Sequence, residues 1–398
     1  MKYYIIAGEA SGDLHGSLLM KGLLASDPQA QFRFWGGEKM EGVWRESRGG
    51  EGSCEGAGGG KVRDVRDTAV MGVVEVVAKA RQLGRNLAFC KADIARFAPD
   101  AVILIDYPGF NLKIAKFAHT AGFKVFYYIA PKVWATRERR VEKLRRYVDR
   151  LYVIFPFEVE WFRSRGIEPV YLGNPLAESI DSQLAAAPGR EAFLKANGLD
   201  DRPMIALLAG SRRQEIKFLA PRFNRLADIL SLPESPLRDH QLVVAAAPGV
   251  APEIYESYFG ASGIKIVYGA TYPLLKYADA AAVASGTASL EAAIIGCPQV
   301  VCYGMNPLSF KIAMALLKVK YVSLANLILD KLIFKELLQD ICTPEAIAAE
   351  LITLTGDVPY RQEMLHQYTA LRAALAGDGA TSVAGHIASD MLGVLTSH

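Results

Sequence analysis

Two short turns and one aspartate carry the residue types that could hold a nucleoside diphosphate and accept a proton. Residues 204–215 (MIALLAGSRRQE) run from an unbroken apolar segment into Gly210, Ser211 and Arg212, and a helical pattern follows from about Glu215. A turn after a buried strand aims the free N–H groups of the next helix, and the positive end of its dipole, at whatever lies beyond. Gly210 permits close backbone approach, Ser211 can cap or donate, and Arg212 offers a two-pronged cation suited to phosphate oxygens. The same residues equally make an ordinary strand-to-helix turn with solvated arginines. A second turn of this type, Ser285-Gly286-Thr287-Ala288, follows a small-residue strand, and Glu291 lies less than two turns inside the next helix. There a carboxylate can accept the hydroxyls of a ribose while amides hold phosphate, or it can be a surface glutamate on a capped helix. Two such turns without a Walker A lysine favour a nucleoside diphosphate held without a P-loop. Asp106 closes the apolar strand 101–105, at the end where open parallel sheets put their ligands, as a general base or as a helix cap.

The elements that must position these groups alternate. In the first half, strands are expected at 3–7, 32–35, 101–105, 124–129, 151–155 and 170–172. A helix carrying Leu14, Leu18, Leu19, Leu23 and Leu24 follows the first strand. In the second half, strands are expected at 205–209, 241–247, 265–268, 280–284 and 299–303, with a helix around 218–230. Beyond Pro307 the pattern is mostly helical: an amphipathic 310–320, then 344–354, 361–375 and 382–395. Alternation of this kind predicts an α/β protein with two Rossmann-like domains built on parallel sheets. The Gly-Asn-Pro turn at 173–175 opens a junction near 175–188, giving domains 1–175 and 189–375, with 376–398 a helix packing back on the first. The first turn, Gly8-Glu9-Ala10-Ser11-Gly12-Asp13, is not GxGxxG, and no acid closes the second strand, so a nicotinamide dehydrogenase is disfavoured.

Other segments bound the function. Residues 49–60 (GGEGSCEGAGGG) read as a loop, since so many glycines hold no regular element. Residues 71–83 are a helix candidate with Met71, Val73, Val74, Val76 and Val77 beside Lys79 and Arg81. Such a face either packs on the sheet or dips into a membrane surface with anionic headgroups. A net charge of +3 over 398 residues supplies no field favouring nucleic acid, and no zinc-finger or RNP-like spacing occurs. Five scattered cysteines without CxxC fit a reducing compartment and no structural zinc. The start, MKYYIIAGEASGD, is too weakly apolar for a signal peptide, and no stretch approaches a membrane span, so a cytoplasmic protein is expected.

Eight motifs in order resemble the lipid-A-disaccharide synthase family. They are GEASGD (8–13), Met71-Gly72 with Val74-Glu75-Val76, IDYPGFN (105–111), PKVW (131–134) and PFE (156–158), then Gly210-Ser211-Arg212 with Glu215, SGTASLE (285–291) and VSLAN (322–326). The resemblance implies the glycosyltransferase B fold, two Rossmann-like domains with parallel sheets facing across a cleft. It implies an inverting transfer of 2,3-diacylglucosamine from UDP-2,3-diacylglucosamine to 2,3-diacylglucosamine 1-phosphate. The product would be the β-1,6-linked disaccharide 1-phosphate, formed by a peripheral enzyme on the cytoplasmic side of the inner membrane. A homodimer is compatible with this reading.

Carried onto this sequence, the resemblance makes Asp106 the base and Arg212 the pyrophosphate-side arginine. Glu291 becomes the acid near the donor nucleoside and Asn326 the asparagine of an SLPN-like pattern. Glu9, Ser11, Asp13, Gly210, Ser211, Glu215, Ser285, Gly286, Thr287 and Ala288 complete the expected substrate contacts, and residues 71–77 the acyl or membrane contact. Many members read DAPDFN where this chain has Tyr107 and Gly109, so its own motif offers Asp106 no second carboxylate. No DxD pair occurs in the chain, so neither metal nor cofactor is expected, with arginine and amides in place of a divalent cation. Two rivals share these features. One is another UDP-sugar enzyme of the fold, such as a UDP-N-acetylglucosamine 2-epimerase. The other is a non-catalytic UDP-sugar-binding protein at the membrane.

Overall fold

A computed structural model describes residues 1–49, 59–64, 76–135, 137–305, 320–377 and 382–397. The chain divides into two compact units, Met1–Pro175 with Ala376–His398, and Leu176–Leu375.

Each unit is a parallel sheet flanked by helices. The first sheet contains β1 (Lys2–Ala7), β2 (Gln31–Gly36), β3 (Gly60–Asp64), β4 (Ala101–Ile105), β5 (Lys124–Tyr128), β6 (Arg150–Val153) and β7 (Val170–Tyr171). Their spatial order is β3-β2-β1-β4-β5-β6-β7, every pair parallel. Aromatic and β-branched residues favour the strand, and alternation sends them to opposite faces. Tyr3 and Ile5 thus join Leu19, Leu23 and Ile387 in one core, while Tyr4 and Ile6 join Ile94, Phe110 and Ile114 in the other. The closing helix Val383–Thr396 belongs to the first of these cores. It lies so close to the helix Ala10–Ser26 that a Cβ on Gly22 would sit 2.8 Å from the Ala384 carbonyl oxygen. Asp390 fastens it to β6 through Arg150 and the Tyr152 hydroxyl, each at 2.7 Å.

The second sheet contains β8 (Met204–Leu208), β9 (Gln241–Ala246), β10 (Lys265–Tyr268), β11 (Ala280–Ala284), β12 (Gln299–Tyr303) and β13 (Glu336–Leu338), ordered β10-β9-β8-β11-β12-β13 and again parallel. Strand order reverses between β1 and β4 in one unit and between β8 and β11 in the other. Ligands of open α/β sheets bind outside the carboxyl ends at such switch points.

Several elements differ from their sequence outlines. The edge strands β3 and β13 carry too little apolar alternation to stand out alone. The helix expected at 71–83 is described from Val76 to Phe97, running through Gly84, because Leu87, Cys90, Ile94 and Phe97 continue its buried stripe. Met71, Val73 and Val74, and the side chains of Val76 and Val77, lie outside the described residues, as do residues 50–58 of the glycine-rich segment and 306–319.

Candidate active site

The first switch point brings two turns together. Ala7 pairs with Ile105, so the turns that begin at Gly8 and at Asp106 leave adjacent strands side by side. Asp106 (φ 44°) and Tyr107 (φ 48°) are both left-handed, an uncommon state for residues with a Cβ. The backbone is clamped there. The Asp106 N–H donates to the Tyr128 carbonyl at 3.1 Å, and its carbonyl accepts from the Tyr127 hydroxyl at 2.6 Å and Asn111 Nδ2 at 2.8 Å. The fully buried Asn111 also donates to the Ile105 and Ile6 carbonyls at 3.2 and 3.4 Å, binding the ends of β4 and β1. Clamping the main chain this way fixes where the half-buried Asp106 carboxylate sits.

Burial raises the Asp106 carboxyl above the usual carboxylate range, and the neighbouring Glu9 carboxylate pushes it further the same way. Lys132 and the Tyr107 N–H pull it back only in part. A carboxylate raised toward neutrality accepts a hydroxyl proton more readily than a free aspartate. The second carboxylate that the Asp106 motif lacks is therefore supplied by tertiary structure, from the turn after β1. Ser11 is exposed in the first turn of the helix Ala10–Ser26. Asp13, also among the expected substrate contacts, sits differently from Ser11. It is 5 % exposed, and its oxygens accept from the N–H groups of Gly37, Lys39 and Met40 at 2.6, 3.1 and 3.1 Å, which commits them to capping the helix Glu38–Glu46.

Gly8 is required by contact. A Cβ there would lie 2.2 Å from Tyr107 Cγ, and the Tyr107 ring stacks on the buried Phe110 at 5.4 Å. Gly8→Ala is expected to cost about 1–3 kcal/mol of stability and to misplace Asp106. Thermal unfolding and initial rates check this, and wild-type values in both would sink it.

The motifs PKVW and PFE, separate in sequence, meet at Glu158. This carboxylate is 1 % exposed and accepts from Trp134 Nε1 at 2.9 Å and from the Ile154 and Phe155 N–H groups at 3.2 and 3.1 Å. Burial nonetheless pushes it up to about 7. Its partners fix the loop after β5, which carries Lys132.

The second switch point is built alike. Pairing of Leu208 with Val283 sets Gly210 beside Ser285 two residues beyond the last ladder pair. Gly210 is left-handed (φ 103°), and its carbonyl is held by the buried Tyr255 hydroxyl at 2.9 Å. The two bends differ in one respect that sequence does not show. In the first, Glu215 reaches back from the third position of the helix Arg213–Leu230 and accepts from the Ser211 and Arg212 N–H groups at 2.9 and 3.3 Å. These amides, expected to be free for phosphate, are thus filled by the capping-box geometry of an acid three residues past the cap. Glu215 also holds Arg212 Nη1 at 3.0 Å, while the Arg212 side chain stays 80 % exposed. In the second bend, Gly286 (φ 147°) opens the helix Thr287–Ile295 with no side-chain cap, and Gly286 and Thr287 are exposed. Ser285 and Ala288 beside them are half-buried.

Glu291 points to a half-buried position where burial raises its carboxyl and a bond from the Tyr272 hydroxyl lowers it in part. Asn326, the asparagine of the SLPN-like pattern, lies before β13. It is fully buried, donating to the Phe334 carbonyl at 3.1 Å and to Glu336 at 2.9 Å while accepting from the Ile333 N–H at 2.9 Å. These bonds position the loop before β13. Tyr127, Tyr255, Tyr272 and Glu336 are the contributors that periodicity misses, because a buried polar group far away in sequence leaves no trace in a local pattern. Among the described residues, no three His, Cys, Asp or Glu side chains could hold a metal ion, and no helix is long and apolar enough to cross a membrane.

The sequence profile described as lipid-A-disaccharide synthetase matches residues 3–388. The chain belongs to that family. Relatives named lipid-A-disaccharide synthase include one from Geobacter metallireducens, 35 % identical over 98 % of this chain and 97 % of its own length. Another, from Coxiella burnetii, is 33 % identical over 96 % of each chain. Family membership makes the chain a hexosyltransferase. Among solved structures it resembles a UDP-GlcNAc 2-epimerase from Neisseria meningitidis bound to UDP-GlcNAc (TM-score 0.60, 12 % identity, 98 % and 99 % coverage). It also resembles the calicheamicin glycosyltransferase CalG4 (TM-score 0.52, 14 % identity, 100 % and 98 % coverage). At these identities the likeness shows the fold, that of glycosyltransferase B.

Proposed function

We propose that the chain transfers 2,3-diacylglucosamine from UDP-2,3-diacylglucosamine to 2,3-diacylglucosamine 1-phosphate, giving the β-1,6-linked disaccharide 1-phosphate and UDP. The observation that carries this reading is Asp106, clamped in a left-handed turn at a sheet switch point with its carboxyl raised by burial and by Glu9. Asp106 takes the proton of the acceptor hydroxyl as its oxygen attacks the anomeric carbon. The bond to UDP breaks on the opposite face, which inverts the centre. Negative charge grows on the departing diphosphate, so donors aimed there stabilise the transition state more than the ground state. Arg212 and the amides at Gly286–Ala288 are those donors, and Glu291 with Tyr272 receives the nucleoside. Glu215 acts on Arg212 by holding one arm of its guanidinium.

The test is formation of labelled disaccharide 1-phosphate from the two lipid sugars by purified protein in EDTA. Full activity with the chelator is expected. UDP-sugar consumed without the lipid acceptor would instead mark an epimerase.

Acylated substrates place the work at a membrane surface, and the apolar run 71–77 beside Lys79 and Arg81 is the segment we assign to it. Val74→Glu with Val77→Glu is expected to abolish flotation with anionic vesicles. Unchanged flotation would refute that assignment.

A further inference from the structure

The stretch between β5 and Val141 carries four cations that the chemistry above does not use, Lys132, Arg137, Arg139 and Arg140. Ile129 (φ 61°) and Arg137 (φ 60°) are left-handed; with Asp106 and Tyr107 they make four of the seven non-glycine positive-φ residues among those described. Strain of this kind persists where surrounding contacts over-determine the backbone, and it collects at functional sites. Those contacts are present: Ala130 N–H to the Tyr152 carbonyl at 3.1 Å, Ala135 N–H to Lys132 at 3.1 Å and Arg140 N–H to Arg137 at 2.9 Å, with Trp134 held on Glu158.

Lys132, Arg137 and Arg140 stand on this frame. Among the described residues none of the three has a carboxylate within 4.0 Å, nor do the exposed Arg139, Lys143 and Arg146, whereas Arg145, Arg150, Arg163 and Arg165 are each paired. Two of the three lie beside the base or its clamp. Lys132 is close enough to lower the carboxyls of both Asp106 and Glu158. Arg140 faces Tyr127, whose hydroxyl holds the Asp106 carbonyl. Burial and the like charge of Arg137 lower the Arg140 guanidinium. Arg137 and Arg140 are neighbouring like charges on a strained loop whose Lys132 adjoins the base, and the free energy this costs would be recovered by a dianion seated there.

We infer that Lys132, Arg137 and Arg140 form a phosphomonoester site that seats the anomeric phosphate of the acceptor and so aims its attacking hydroxyl at Asp106. This rests on the transfer reaction proposed above and adds a determinant of acceptor choice. The donor diphosphate needs other donors, and the bends of the second unit supply them. The cations here lie in the unit that holds the base, where an acceptor belongs. A sugar held by its phosphate at one end and by Asp106 at the other presents a single hydroxyl for reaction.

The experiment compares kcat/KM for 2,3-diacylglucosamine 1-phosphate and for its phosphate-free methyl glycoside, in detergent micelles, for wild type and Arg137→Gln with Arg140→Gln. The wild type is expected to prefer the phosphorylated acceptor, and the double variant to lose about tenfold or more of that preference. The readout is a ratio, so a general loss of folded protein cancels. Lys132→Met, on an exposed side chain, gives a second variant expected to erode the same ratio. An unchanged ratio in both variants overturns the inference. So does an unchanged ratio accompanied by lost flotation on phosphatidylglycerol vesicles, because the cations would then read lipid headgroup phosphate. Failure of the wild type to form disaccharide would strike the proposed reaction instead, which separates the two.

Discussion

Asp106→Asn is expected to lower the rate of transfer by about 10²–10⁴-fold, the usual contribution of a positioned general base, with UDP affinity nearly unchanged. The substitution keeps the shape of the side chain and leaves the clamp intact, because Tyr127, Asn111 and Tyr128 grip the Asp106 backbone and not its carboxylate. What disappears is the capacity to take a proton. Steady-state rates with both lipid sugars, alongside UDP titration by calorimetry, measure the two quantities separately. Equal loss of both would make Asp106 a structural residue.

The same carboxylate sets the acid limb of the pH profile. Only the ionised form is a base, so activity declines as pH falls through the Asp106 pKa, and that pKa is raised by burial and then by Glu9. Glu9→Gln removes a negative neighbour, which makes ionisation of Asp106 easier. The acid limb of kcat/KM should then move to lower pH. Movement to higher pH, or none, would show that Glu9 does not act on the base.

Arg212→Ala should lower kcat by about 10²–10³-fold, the size seen when one preorganised donor to developing charge is lost. Arg212 is well placed for this role. Glu215 engages its Nη1 at 3.0 Å, so the guanidinium is oriented while its remaining N–H groups have no hydrogen-bond acceptor among the described residues. Its high exposure leaves those groups reachable. Arg212→Lys should restore only part of the loss, since an ammonium is a point charge and cannot reproduce a planar fork with one arm tied to Glu215. A loss smaller than about tenfold in kcat, or a loss confined to KM, would remove Arg212 from the transition state.

How far the sequence reads on its own varies with the distance over which each fact is decided. Strand-turn-helix units are local. Apolar runs such as those of β4 and β8, the Gly-Ser turn after β8 and the Ser-Gly-Thr turn after β11 mark them without any tertiary information. The resemblance carried by eight ordered motifs adds the family, which the comparisons show. Local logic fails where a polar side chain turns inward. Asp13 and Asn326 look like presented groups in sequence, yet both are buried and bonded to backbone N–H or C=O groups, because unpaired main-chain groups at a helix start and a loop are costly to leave unmet. Glu215 is a similar case, filling the amides it was expected to share with a ligand.

What composition and pattern determined by themselves was therefore the class of the protein: an α/β chain with a nucleoside diphosphate reading, two phosphate-type turns and a carboxylate at a strand end. Which turns become neighbours was decided only by the order of strands in each sheet. Pairing β1 with β4 sets Glu9 near Asp106, and pairing β8 with β11 sets Gly210 beside Ser285. The physical reason is that ionisation and charge clustering depend on separation in space and on burial, neither of which is encoded at fixed spacing along the chain. The raised carboxyl of Asp106, and the place of Lys132 beside it, are properties of that packing.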